Sequence, residues 1–209
     1  MIKEAARYAK KGAIITDAGS TKGWIVESVE KILKNLHGVY FVGSHPMAGS
    51  EHTGVEYAIA DLLNGAPCIV TKDAATDKAA LKKVIGFWSS LGAKVKVMSP
   101  KSHDKSVSLI SHLPHIVAFG LAGAVPENEL QYAAEGFKDT TRVASSDPEL
   151  WADIFLTNRD HILKSGRLFD RYYKNILNAV SRLDRSATVS ALRKAKAKRD
   201  KFSYGKERP

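Results

Sequence analysis

The sequence is poor in the features that mark secreted proteins. It has one cysteine, Cys68, among 209 residues, and a single thiol cannot form an intrachain disulfide. The N-terminal stretch 1–7 also lacks the apolar core of a signal peptide. These two absences exclude a disulfide-stabilised scaffold and predict a cytoplasmic protein.

Charged residues are missing from the stretch 106–126, which raises the question of a membrane span. That stretch nevertheless contains His112, Pro114 and His115 near its middle. Imidazole groups and a helix-breaking proline are costly in lipid. We therefore expect a buried core helix that carries functional polar groups, and no membrane partner.

Positive charge is concentrated at the C-terminal end. The net charge is +10, of which residues 192–209 carry +6. A basic end on an otherwise balanced protein is typical of a solvated helix end and tail. Only Phe202 and Tyr204 interrupt it with aromatic rings, so we do not expect a nucleic-acid partner.

The first hundred residues alternate between strand and helix patterns, which is typical of a mostly parallel α/β sheet. The strands are predicted at 13–16, 39–42, 66–71 and 93–98. Helices are predicted between them, including a short one at 54–63. The turn at 43–51 follows the second strand.

After Pro100 the pattern becomes helical. A long apolar helix is predicted from about His103 to Val125, with a kink at Pro114. The stretch 126–142 is expected to be irregular, and Asp147 with Pro148 is expected to open the next helix. From Asn158 onward, apolar residues recur at heptad-like steps that suit a helix in a bundle or a dimer seam.

The α/β part is too small for a complete dinucleotide-binding fold, and the sequence contains no Gly-x-Gly-x-x-Gly turn. We therefore predict the second half of a Rossmann-like nucleotide-binding domain at 1–100, followed by a helical substrate and dimerisation domain at 101–200. Residues 201–209 are expected to form a basic tail.

A candidate acid–base residue lies in the stretch 43–51, with the sequence GSHPMAGSE. His45 comes just after the predicted strand 39–42, and ligands gather at the carboxyl ends of strands in open α/β sheets. An imidazole there can act as an acid or a base. The alternative is a turn histidine that only hydrogen-bonds its own loop.

Four stretches together resemble the prephenate/arogenate dehydrogenase family of tyrosine biosynthesis. They are DAGSTKG at 17–23, GSHPMAGSE at 43–51, SHLPH at 111–115, and GFKDTTR at 136–142 with the nearby SDPELW at 146–151. The resemblance covers residues 1 to about 200. Family members begin with a strand, a Gly-rich turn and a helix that hold the pyrophosphate of NAD or NADP, so the resemblance implies an N-terminally truncated chain.

The resemblance implies oxidative decarboxylation of prephenate to 4-hydroxyphenylpyruvate, with NAD or NADP as hydride acceptor. Arogenate is the alternative substrate, and a homodimer through the helical domain is the implied assembly. A non-catalytic dimerising or regulatory fragment is the alternative of another class, because the Gly-rich turn is absent.

The resemblance also implies roles for residues in the first two stretches. His45 corresponds to the catalytic histidine that takes a proton from the substrate hydroxyl, and Ser20 to the serine beside it. A helix N-cap is the other explanation of Ser20. Gly19, Ser20, Ser50 and Glu51 are implied on the cofactor side.

The later stretches are implied to bind the substrate. His115 corresponds to a donor for the side-chain carboxylate, and Arg142 to the arginine that binds the ring carboxylate. His112 lies on nearly the same helix face as His115, with a structural hydrogen-bonding pair as the alternative. Asp139 is expected to hold Arg142 or to close the site, with a helix-capping aspartate as the alternative. No metal site is expected.

Overall fold

The computed structural model of the protein describes residues 1–33, 38–49 and 54–201. Packing divides the chain into two compact units, Met1–Ile162 and Leu163–Pro209. The predicted domain boundary near residue 100 does not coincide with the boundary between these two units. It remains a prediction.

The strands form two small sheets. Parallel strands β1 (Ile14–Thr16) and β2 (Tyr40–Val42) make the first. The second has the order β3 (Ser44–Pro46), β4 (Pro67–Thr71), β5 (Lys94–Met98), with β4 and β5 parallel. The predicted strands are confirmed to within one residue at each end.

The helices connect strands in the first part of the chain and make up most of the described residues after Pro100. They are α1 (Ile2–Tyr8), α2 (Gly23–Leu33), α3 (Lys78–Ser90), α4 (Pro100–Val107), α5 (Leu113–Ala124), α6 (Glu135–Thr141), α7 (Pro148–Thr157), α8 (Arg159–Ser181) and α9 (Arg185–Asp200). This order confirms an α/β part followed by a helical part.

Strand β3 was not predicted, because its residues read as a turn. It pairs antiparallel with β4, so that His45 lies opposite Ile69. Pro46 is tolerated because β3 is an edge strand, where a missing backbone donor costs little. The consequence is that His45 is held by a sheet rather than by a loop.

The hydrophobic core lies where α3 packs against β2 and β4. Its buried members are Val42, Cys68, Val70, Ala80, Val84, Trp88 and Ala93. Burial raises the pKa of the Cys68 thiol to about 11, which makes it an inert core residue. The prediction of a buried thiol is confirmed.

The apolar helix is continuous from Pro100 to Ala124, but it is not uniformly α-helical. A π-helical turn at Ser108–His112 separates α4 from α5. It lies just before Pro114, which has no backbone N–H and disturbs the preceding turn. By length and composition this helix is able to cross a membrane, as are core helices of soluble proteins. Its His103, Asp104 and His112 are buried against protein groups.

Two local predictions were wrong. The stretch 54–63 has only a 3-10 turn at Val55–Tyr57, because Val55 and Ile59 stay exposed and find no apolar surface to cover them. The stretch 126–142 is not irregular, since it contains α6. The start of α7 is confirmed, with the Asp147 carboxylate accepting from the amide of Glu149 at 2.9 Å.

The second unit contains most of α8 and all of α9. The Asp184 carboxylate caps α9 by accepting from the amide of Ala187 at 2.8 Å. Along α8, Phe169 and Tyr173 stack with ring centroids 5.9 Å apart. The large apolar side chains of α8 that remain exposed are Leu163, Phe169, Tyr172, Tyr173, Leu177 and Val180.

Candidate functional site

A cavity of about 420 Å³ lies within the first unit, next to the ends of β1 and β3. Ser20, His45, His115 and Arg142 all line it, together with Trp151. These residues come from four separate stretches of the sequence. The structure therefore brings together the side chains for which sequence resemblance implies catalytic or binding roles.

The backbone of β3 is anchored beside this cavity by partly buried polar contacts. The amide of Ser44 donates to the Asp17 carboxylate at 2.9 Å, and the Ser44 and Thr16 hydroxyls are 2.8 Å apart. The other oxygen of Asp17 pairs with the ammonium of Lys22, whose side chain is fully buried. These contacts fix where His45 enters the cavity.

The His45 ring is linked to two residues that sequence reasoning missed. Its Nδ1 lies 2.8 Å from Nε2 of His103. On the other side of that ring, Nδ1 of His103 lies 2.8 Å from Oδ1 of Asp104. All three side chains are buried. A His-Asp dipeptide near the start of a helix carries no signal in the sequence that would assign it to this site.

The Asp104 carboxylate is held at the start of α2. Its Oδ1 accepts from the amide of Lys22, and its Oδ2 from the amide of Gly23, each at 2.8 Å. A side chain at Gly23 is excluded, because a Cβ there would lie 2.8 Å from Oδ2. The cap of α2 therefore comes from a distant helix rather than from Ser20.

Burial governs the charges around His45. Burial, followed by the nearby His103 and Lys22, lowers the pKa of His45 to about 3. Burial raises the pKa of the Asp104 carboxyl, but hydrogen bonds from His103 and the two amides outweigh it and leave the pKa below its usual value. At neutral pH the site therefore contains a neutral His45 and an ionised Asp104.

His115 faces the cavity from α5. Its Nδ1 lies 2.9 Å from the carbonyl oxygen of Ser111 and donates to it, so Nε2 remains for the cavity. The ring stacks on Trp151 with centroids 3.4 Å apart. Burial lowers the pKa of His115, and the charge of Arg142 lowers it further.

Three expected site residues do not line the cavity. His112 is fully buried behind it, with Nδ1 3.1 Å from the side-chain amide of Asn158. Asp139 is exposed on α6. Gly19 donates its amide to the Asp17 carboxylate at 3.0 Å. Ser50 and Glu51 lie outside the described residues.

The described residues give less support for a second ligand site or for a metal site than for the cavity around His45. A second cavity of about 440 Å³ lies beside α2 and is lined by Glu27, Glu30 and Asp73, among others. Its carboxylates disfavour an anionic ligand. Within residues 1–33, 38–49 and 54–201, no group of three or more His, Cys, Asp or Glu side chains is placed to hold a metal ion.

Comparison with known proteins gives the family. Residues 1–97 match the model of the prephenate dehydrogenase nucleotide-binding domain, and residues 99–194 match that of the prephenate dehydrogenase dimerization domain. The chain belongs to the prephenate dehydrogenase family. The matched ranges together cover most of the chain, and they agree with the fold expected from sequence resemblance.

Individual relatives agree with this assignment. The chain is 41% identical to the prephenate dehydrogenase of Bacillus subtilis over 78% of its own length and 44% of the relative's. It is 36% identical to the cyclohexadienyl dehydrogenase of Zymomonas mobilis over 84% of its own length and 61% of the relative's. It thus spans about half the length of these curated relatives.

A solved structure from this family is closely similar. The prephenate dehydrogenase of Aquifex aeolicus, in complex with hydroxyphenyl propionate and NAD+, superposes with a TM-score of 0.87 at 36% identity. The match covers 97% of this chain and 71% of that one. The fold of the family is therefore present over almost the whole chain.

The lowered histidine pKa values predict how stability depends on pH. Because His45 has an ordinary value of 6.5 and a folded value of about 3, the unfolded chain binds more protons between these limits. The free energy of unfolding should therefore fall as pH falls from 6.5, by up to ~1.4 kcal/mol per unit of pKa shift. Urea unfolding at a series of pH values between 7.5 and 4.5 measures this fall in the free energy of unfolding.

His45→Asn provides the control for this slope. The variant removes one titrating ring, so its stability should fall less steeply with decreasing pH than that of the wild type. His112, with a pKa lowered by burial to about 4, should keep part of the slope. An identical slope in the variant and the wild type would contradict a neutral, buried His45.

Proposed function

We propose that the full-length protein is a prephenate dehydrogenase, which converts prephenate to 4-hydroxyphenylpyruvate with NAD as the oxidant. The observation that carries this proposal is the cavity that His45, His115 and Arg142 line together. The reaction needs a base at a ring hydroxyl and cationic groups for two carboxylates. The names of the relatives support the same substrate.

His45 is proposed as the base. As hydride leaves the ring carbon that bears the hydroxyl, this hydroxyl becomes a protonated carbonyl and therefore a strong acid. A buried imidazole of low pKa is a sufficient acceptor for that proton. When carbon dioxide leaves and the ring becomes aromatic, the oxygen becomes a phenolate, and His45 returns the proton to it. The balanced reaction releases no net proton.

Arg142 and His115 are proposed to bind the two carboxylates. The planar guanidinium of Arg142 suits bidentate recognition of the ring carboxylate. His115 donates from Nδ1 to Ser111, so it becomes a donor at Nε2 only when it takes up a proton. A bound carboxylate favours that proton. Trp151 keeps the His115 ring in place by stacking. His112 and Asp139 do not line the cavity, so no direct contact with the substrate is proposed for either of them.

The residues beside β1 fit the reactive end of a nicotinamide cofactor. Ser20 lines the cavity with His45 just beyond the carboxyl end of β1, where nucleotide ligands lie in such sheets. The bound nicotinamide would accept the hydride. Gly19, Ser20, Ser50 and Glu51 are proposed on this side. The NAD+ in the Aquifex structure supports NAD over NADP.

The second unit is proposed to join two copies of the chain. The exposed apolar face of α8, including Phe169, Tyr173 and Leu177, supports this, as does the match to a dimerization domain. Burying that face would remove the energetic cost of its exposure to water. Light scattering of the purified protein should give the mass of a dimer, and a monomer mass would contradict the proposal.

The direct test is an assay of the full-length protein with prephenate or arogenate, each with NAD or NADP. Reduced cofactor should appear fastest with prephenate and NAD. His45→Asn should lower kcat by about 100-fold or more with little change in cofactor affinity, because a general base is removed. Faster turnover of arogenate would make arogenate, and not prephenate, the substrate. No turnover of either compound would favour a non-catalytic module.

Arg142→Ala should chiefly raise the KM for prephenate, by about 10- to 100-fold, because a charge-assisted hydrogen bond to a carboxylate is lost. Arg159→Ala is the matched control. Arg159 is an exposed arginine beside Asp160 that does not line the cavity, so its variant should keep the wild-type KM. A loss confined to kcat would argue against carboxylate binding by Arg142.

A further inference from the structure

We propose that Asp104 and His103 are positioning residues that hold the proton of His45 on Nδ1, so that Nε2 is the nitrogen that accepts a proton in the cavity. This inference rests on the proposed function of His45 as a base. It concerns two residues that do not line the cavity. They act through the ring of His45 and not on the substrate.

Asp104, His103 and His45 form a chain of hydrogen bonds, which we call the relay. The contacts of Asp104 at the start of α2 determine which atom donates in each of these bonds. Asp104 has no freedom to turn, because each carboxylate oxygen accepts a backbone amide, from Lys22 or from Gly23. These amides also stabilise the negative charge, as the N-terminal end of a helix does. Asp104 therefore offers the ring of His103 a fixed, ionised acceptor.

The positions of the protons follow from this anion. Facing a carboxylate at 2.8 Å, Nδ1 of His103 must carry a proton and donate it. In the proposed arrangement His103 carries this one proton only, so its Nε2 has a lone pair. That lone pair lies 2.8 Å from Nδ1 of His45, so Nδ1 of His45 is the donor. The remaining nitrogen of His45, Nε2, is left with its lone pair.

The surroundings keep this arrangement in place. His103 is fully buried, and His45 and Asp104 are nearly so, so water does not compete for their hydrogen bonds. Lys22 is close enough to disfavour a protonated His45, but its ammonium is paired with Asp17. When His45 takes up a proton, Asp104 stabilises the new positive charge through His103. The same logic operates in hydrolase triads, in which an aspartate fixes a histidine tautomer.

The tautomers can be read directly by NMR. In the unmodified protein labelled with 15N-histidine, two-bond 15N–1H correlations distinguish a protonated ring nitrogen from one with a lone pair. We expect both His45 and His103 to be protonated at Nδ1 and unprotonated at Nε2 at neutral pH. A His45 protonated at Nε2 would overturn the proposal, and this result does not depend on any variant folding.

Two substitutions of His103 separate the halves of the relay. In His103→Asn, the side-chain amide can still reach Asp104, but nothing replaces the acceptor for His45. In His103→Gln, the amide oxygen can take the place of Nε2. We expect kcat to fall about 100-fold or more in the first variant, with KM nearly unchanged, and the second to recover at least about tenfold of that loss. His103→Asn with wild-type kcat and an unchanged His45 tautomer would overturn the proposal.

Val107→Ala is the control for a loss of packing. Val107 is a fully buried apolar residue on the same helix, α4, and truncating it should lower stability without touching the relay. Its kcat and its His45 tautomer should stay as in the wild type. A fall in kcat as large as that of His103→Asn would overturn the proposal, since packing alone would then account for both.

The failure of this relay and the failure of the proposed function give different results. If the protein turns over neither prephenate nor arogenate but His45 is protonated at Nδ1, the function fails and the assigned tautomer stands. If the protein is active but His45 is protonated at Nε2, the relay is wrong and the function stands.

Discussion

The site depends on the hydrogen bonds that the Asp104 carboxylate, on α4, makes with the first amides of α2. This carboxylate supplies the acceptors for two helix amides and the partner for His103. One buried charge thereby joins α2, which follows β1, to the apolar helix that begins at Pro100. Losing it would leave the buried donors on Lys22 and His103 and the half-buried amide of Gly23 without partners, and each buried donor costs about 1–3 kcal/mol.

This arrangement explains how a buried site can keep His45, the base that we propose, ready to take up a proton. Burial alone disfavours charge on His45, and it does so more than any neighbour. A neutral imidazole is what proton uptake requires, but only if the correct nitrogen faces the substrate. Strand β3 sets the position of the His45 ring. In the proposed relay, His103 determines which nitrogen of that ring carries the proton. The cationic group, Arg142, lies at the same cavity and not in the relay.

Much of this architecture could be predicted from local patterns. Short apolar runs gave the strands around Val42 and Val70, and Asp147 with Pro148 gave the start of α7. The stretches containing Ser20, His45, His115 and Arg142 indicated a shared site through their resemblance to one family. Their common cavity agrees with that indication, while the role of each residue remains a proposal.

What could not be predicted depends on contacts between distant residues. Strand β3 reads as a turn, because its pairing with β4 depends on a partner more than twenty residues away. His103 and Asp104 look like ordinary polar residues at a helix start, and their partners are 58 and 82 positions away. The helix predicted at 54–63 is absent because a long-range contact is missing, not because one was overlooked. Its pattern was suitable, but no surface was available to bury Val55 and Ile59.

A crystal structure of the full-length protein with bound 4-hydroxyphenylpyruvate would show most directly which nitrogen of His45 faces the reacting oxygen. We expect the phenol oxygen to lie within about 3.2 Å of Nε2 of His45. We also expect the hydrogen bond between Nδ1 of His45 and Nε2 of His103 to be retained. A phenol oxygen directed away from His45, or a His45 ring rotated to present Nδ1 to the ligand, would contradict this expectation.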